Sequence, residues 1–219
     1  MLFNAALRWL ALKRDSRKRA ALFPVVDLRM DLLLSICLGV GLSAACGFRV
    51  FIPLLALSGA SQYGYIHLAP EWAWIGTTAA LWAFGTAAIL EIAAYFVPWI
   101  DHLMDGVAAP AAAVAGVLVM ASALANVSPL VKWTMAVIAG GGSAALVQGS
   151  TMIARGASSA LTGGLGNPAV AAGEAVAAVL LSLLAVLLPV LAGLVVSVLL
   201  AFLVRKAVRS RSQGKRERI

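Results

Sequence analysis

The sequence predicts an all-α integral membrane protein of about six transmembrane helices, and three observations carry that prediction. The chain of 219 residues is 62% hydrophobic and 12% charged, with a mean hydropathy of +0.96. A soluble domain is nearer half apolar and a quarter charged, so a water-soluble domain is excluded. The apolar residues also gather in runs long enough to cross a hydrocarbon core of ~30 Å, which takes ~20 helical residues. Finally, the net charge of +8 sits at the two ends. Arg8, Lys13, Arg14, Arg17, Lys18, Arg19 and Arg29 form one basic group, and Arg205, Lys206, Arg209, Arg211, Lys215, Arg216 and Arg218 the other. Cytoplasmic flanks of membrane spans carry the Lys/Arg excess, so both ends read as cytoplasmic and the span count as even. Beside apolar spans such tails mark topology and contact anionic lipid headgroups, not nucleic acid.

Residues 1–30 form a basic, amphipathic N-terminal segment, 31–205 a polytopic membrane domain and 206–219 a basic tail. In the first, Leu2, Phe3, Ala6, Leu7, Trp9 and Leu10 make the apolar side of a surface helix that Pro24 ends, with a disordered basic tail as the alternative. The long basic stretch and the poor match of Ser43–Cys46 to a cleavage box argue for an uncleaved first span. That span, 32–60, contains Gly39, Gly41, Gly47 and Pro53 and is expected to be bent or interrupted. A loop, Ser61–Glu71, has no Lys or Arg, and Tyr63, Tyr65, Trp72 and Trp74 suit an interfacial belt. Further spans follow at about 73–98, 107–125 and 131–154, the first two joined by a polar connection, Asp101–Asp105. Gly156–Pro168 is small, polar and turn-rich, with a helix starting after Pro168. The apolar run 169–204 is too long for one span and splits at Pro189, into 169–187 and 190–204.

Six spans divide into three plus three. Gly41-Leu42-Ser43-Ala44-Ala45 in the first half is echoed by Gly141-Gly142-Ser143-Ala144-Ala145 in the second, and each half has a linker ending in proline (Pro70, Pro168). This is the form of an inverted-topology repeat with broken helices, although Ser-Ala-Ala is common in an alanine-rich chain and the glutamates do not align. The pairs Gly39/Ser43, Ser43/Gly47, Ala112/Gly116, Ala145/Gly149 and Gly193/Ser197 let helices approach closely and support tight packing or self-association into a homo-oligomer. Cys37 and Cys46 are too far apart along a helix to bridge and read as small apolar side chains.

Charges inside apolar runs carry the functional information, because burying one in lipid costs several kcal/mol. Glu91 and Glu174 fall at similar depth and form a candidate proton or cation site, with pairing to Arg155 or hydration at an interface as the alternative. Arg49 either binds an anionic group or a backbone carbonyl at a break near Gly47, or snorkels to the outer headgroups, the better reading. Asp101, His102 and Asp105 share a helical face but are too few for a hard cation, and a solvated loop is the better reading. Gly163, Gly164 and Gly166 lack the Gly-Lys-Ser/Thr of a phosphate loop and read as flexible backbone, or as a break that gates a cavity together with Pro168. No nucleophile–base arrangement supports an enzyme, and no cofactor or metal site is expected.

Thr162-Gly163-Gly164-Leu165-Gly166-Asn167-Pro168 followed by Glu174, Glu91 with Pro98, Asp101 and Asp105, and Gly41–Leu57 together resemble a bacterial membrane family catalogued as domain of unknown function four-one-two-six. The resemblance covers about 36–204. Ala108-Ala109-Pro110 and Glu174-Ala175 depart from the family pattern. It confers no activity, but implies that Glu91, Asp101, Asp105, Arg155, Asn167 and Glu174 belong together. The expected function is a small inner-membrane transporter or channel for a small solute or ion, with both termini cytoplasmic. The alternative is a non-catalytic scaffold that binds anionic lipid or a cytoplasmic partner through its basic ends.

Overall fold

A computed structural model describes residues 24–95, 98–125 and 127–216, with side chains at 29–95, 106–125 and 127–206. The N-terminal surface helix lies outside the described residues. Eight α-helices and no strands occur among the described residues. They are α1 (Pro24–Cys46), α2 (Phe51–Gln62), α3 (Thr78–Ala94), α4 (Pro98–Ala123), α5 (Pro129–Met135), α6 (Gly142–Thr162), α7 (Asn167–Leu187) and α8 (Pro189–Arg216). A 3-10 helix, Pro70–Gly76, precedes α3, and a π-helical stretch, Ala136–Gly141, joins α5 to α6. Five helices are long and apolar enough to cross a membrane, or six if the 3-10 helix and α3, bent by 64°, count as one span. The protein is a multi-pass helical bundle.

The first apolar run is indeed interrupted, and the interruption reverses the chain. After α1 the backbone turns tightly, with Gly47 N–H donating to Ala44 O at 3.0 Å and Phe48 N–H to Ala45 O at 3.0 Å. A Cβ on Gly47 would lie 2.5 Å from Ala144 O and 2.6 Å from Val147 Cβ, so only glycine lets the tip pass α6 this closely. α2 then returns along α3. Ser58 Oγ donates to Ile75 O at 2.6 Å, and Gly59 and Gly85 face Leu81 and Leu55. The loop beyond it binds the end of α4, where Ala69 N–H donates to Ser122 O at 3.0 Å, and Gly39 of α1 packs against Met120 and Ala123 of the same end. α1 and α2 therefore form a hairpin with its tip, Gly47–Val50, inside the bundle. At 12 residues α2 is only ~18 Å long, shorter than a ~30 Å hydrocarbon core.

This hairpin changes the sense of every later helix relative to six simple spans. α4 runs antiparallel to α1, with Ser43 Oγ donating to Gly116 O at 2.8 Å. The α5–α6 segment then runs parallel to α1, because Gly140 meets Gly116 and Gly47 meets Val147. The two helices that carry Ser-Ala-Ala thus point the same way, whereas inverted repeats pair opposite senses. α7 descends α1 from Ala185 at Gly41 to Ala171 at Arg49. Leu188 leaves helical geometry, α8 starts at Pro189 as the apolar run predicts, and Gly193 packs on Cys37 with Val196 among Ala44 and Ala45. α8 is therefore parallel to α1, and Arg29 and Arg205–Lys206 sit at opposite ends of the bundle. The charge argument puts both on one face.

Close packing uses some of the small-residue pairs. Cβ atoms on Gly116 and Gly140 would lie 2.7 and 2.5 Å from each other's carbonyl oxygens, so α4 and the π turn touch backbone to backbone. Gly149 has nothing within 4 Å, and its pair with Ala145 is unused within this chain. Two segments are more helical than composition suggests. Asp101–Asp105 lies inside α4, which Pro98 starts because its fixed φ suits a first turn. Gly156–Thr162 belongs to α6, and only residues 163–166 turn, with Gly163 and Gly164 at φ 62° and 90°.

Candidate functional site

Four charged residues of the apolar runs meet at the hairpin tip. On α6, Gln148, Thr151 and Arg155 recur at helical spacing and are all buried. On α7, Ala171, Glu174, Ala178, Leu181 and Ala185 form the buried stripe, which aims Glu174 at α6. Arg155 Nε donates to Glu174 Oε1 at 3.0 Å and its Nη2 contacts Oε2, a two-pronged charge-assisted pair. Arg49, 1% exposed, reaches the same carboxylate from the tip, with Nη2 3.3 Å from Oε2 and donating to Ala171 O at 2.9 Å. Its Nε and Nη1 are buried without an acceptor among the described residues. Both guanidiniums lie against the Tyr95 ring, their carbons 3.8 and 4.1 Å from its centroid.

Glu91 does something else. Its Oε1 accepts from Val50 N–H at 2.8 Å and its Oε2 from Phe51 N–H at 3.1 Å. A carboxylate there satisfies two orphan donors at the α2 N-terminus and meets the positive end of the helix dipole. The two glutamates therefore do not form a shared carboxylate site: Glu174 is a counterion for two arginines and Glu91 caps the broken helix. Beside the tip, a cavity of about 390 Å³ lies between α3 and α4, lined by Phe48, Phe51, Leu90, Glu91, Tyr95 and Gln148 among others.

Other expected site residues lie elsewhere. Asn167 is at the exposed α6–α7 turn, its Nδ2 donating to Ser159 Oγ at 3.0 Å. Gly163, Gly164 and Gly166 form that turn and Pro168 lies in the first turn of α7, so the break inside the bundle is at Gly47 and not there. Asp101 and Asp105 lie in the first turns of α4, and their side chains are outside the described ones. Sequence reasoning missed Tyr95 and Gln148. Gln148 is the one glutamine within the fourth apolar run, a signal as readable as a buried charge. At the opposite end, Lys132 pairs with Glu71 and ties α5 to the 3-10 helix. Among the described residues no group of three His, Cys, Asp or Glu side chains is placed to hold a metal ion.

Residues 36–209 match the model of a domain of unknown function, DUF4126, and the chain belongs to that family. Comparison with curated proteins and with solved structures returned no match.

Proposed function

We propose that this family member is a small transporter or channel of the bacterial cytoplasmic membrane, with its polar site at the hairpin tip. The observation that carries the reading is the Arg49–Glu174–Arg155 cluster, 1%, 5% and 5% exposed, held where α1 and α2 break. Ionisable groups inside spans mark solute or ion pathways, and interrupted helices present backbone and charge to what passes. Both guanidiniums reach Glu174, and Arg49 keeps two buried N–H groups without acceptors among the described residues. A small solute carrying negative charge would answer those two donors. The N-terminal basic group faces the cytoplasm in this reading, because the first span usually sets orientation. Parallel α1 and α8 then deliver the C-terminal group to the other face.

Purified protein in proteoliposomes, challenged with gradients of chloride, acetate and phosphate, tests the proposal. Flux above empty vesicles is expected, and its loss in Glu174→Gln with the variant still monodisperse. Flux that survives both Glu91→Gln and Glu174→Gln sinks the site assignment. The scaffold alternative predicts instead that deleting 207–219 abolishes cellular function while both glutamate variants stay active.

A further inference from the structure

The cavity between α3 and α4 borders the ion cluster and the helix cap, sharing Tyr95 with the first and Glu91 with the second. Its volume of about 390 Å³ falls within the ~300–1,000 Å³ range of small-molecule sites. Its walls are apolar, and two of its lining residues, Leu90 and Val107, are 69% and 57% exposed. The cavity therefore reaches the outer surface of the bundle, where a membrane protein meets acyl chains. Its inner end is polar. Gln148 is 5% exposed, lines the cavity, and its carboxamide has no hydrogen-bond partner among the described residues. A primary amide on the wall of a largely apolar cavity can both donate to and accept from one ligand group.

Charge around the inner end restricts that partner. Glu91 lines the cavity and opposes an anion. Arg49 and Arg155, both against the Tyr95 ring, oppose a cation. Each Glu91 oxygen accepts one backbone N–H and keeps a lone pair for a hydroxyl donor. We infer that this cavity is a lateral site for an amphiphile drawn from the bilayer. Its single apolar chain lies between α3 and α4, and its uncharged, hydroxyl- or amide-bearing head bonds Gln148. The site does not depend on transport, and its test reads binding, so a failed flux assay and a failed binding assay are distinguishable.

The full-length protein in phosphatidylcholine nanodiscs is exposed to three diazirine probes with the same hexadecyl-length chain: a monoacylglycerol, a fatty acid and a quaternary ammonium. Adducts are mapped by mass spectrometry. The monoacylglycerol is expected to label peptides spanning 87–95 and 107–111, about tenfold more than either charged probe, and to be displaced by unlabelled monoacylglycerol. Ala94→Phe, which fills the cavity, should abolish these adducts, and Gln148→Leu should weaken them by about fivefold to tenfold, as the loss of one or two hydrogen bonds predicts. Equal labelling by all three probes, or adducts unchanged in Ala94→Phe, would overturn the proposal. Should either variant fail to fold, unsaturable labelling of the wild-type protein would overturn it as well.

Discussion

Replacing Glu174 by glutamine removes one charge and little else. The side chain keeps its volume and a carbonyl acceptor, but Arg155 and Arg49, 5% and 1% exposed, lose their shared anion. Breaking a buried ion pair by removing one partner costs about 3–5 kcal/mol, because the surviving charge stays desolvated. A chain of this size loses about 2–4 °C of melting temperature per kcal/mol, so the midpoint should fall by about 6–20 °C. The assay is thermal unfolding in mild detergent, followed by intrinsic fluorescence and by loss of the monodisperse peak. Arg155→Met combined with Glu174→Leu removes one charge of each sign and should recover part of the loss, since apolar replacement of a whole pair is often near neutral. If Glu174→Gln unfolds within about 2 °C of wild type, the guanidiniums do not depend on this carboxylate, and the description of the cluster is refuted.

Other expectations follow from the same geometry. Gly47→Ala pushes a methyl into Ala144 O and Val147 and should cost about 1–3 kcal/mol, whereas Gly149→Ala, with open space around it, should leave the melting temperature unchanged. Comparable shifts for both would show that the tip does not pass α6 closely. Glu91→Ala removes the cap of α2 and should destabilise the protein by about 1–3 kcal/mol, while Glu91→Gln, keeping one acceptor, should cost less. Hydrogen exchange at Val50 and Phe51 would report the difference, and unchanged protection in Glu91→Ala would remove the capping role. In a background lacking Cys37 and Cys46, single cysteines at Arg29 and Lys206 should react with an impermeant thiol reagent from opposite sides of the membrane; labelling of both from one side would contradict the parallel course of α1 and α8.

Composition and run length determine that this chain is a helical membrane protein, because a helix that buries its own backbone polar groups is what an apolar run does in lipid. Local signals also place the break near Gly47, the helix start at Asn167–Pro168 and the split at Leu188–Pro189, since proline and glycine act on their own turn, whereas Pro98, read as the end of a span, starts α4. The rare charges Arg49, Glu91, Arg155 and Glu174 mark the site for the same reason: lipid makes each one costly, so each needs a partner. Who partners whom was not legible. Glu91 and Glu174 look equivalent in sequence, and only packing assigns one to a helix N-terminus and the other to two arginines. The course of the chain was hidden for a related reason. An apolar run of 29 residues, 32–60, is compatible with one bent span or with a hairpin, since hydropathy has no direction. Contacts between α2 and α3 and between Ala69 and Ser122 choose the hairpin, and that choice reverses every helix after it. Charge at the two ends reports which segments resist crossing the bilayer, but the sense in which each helix runs is decided by tertiary packing alone.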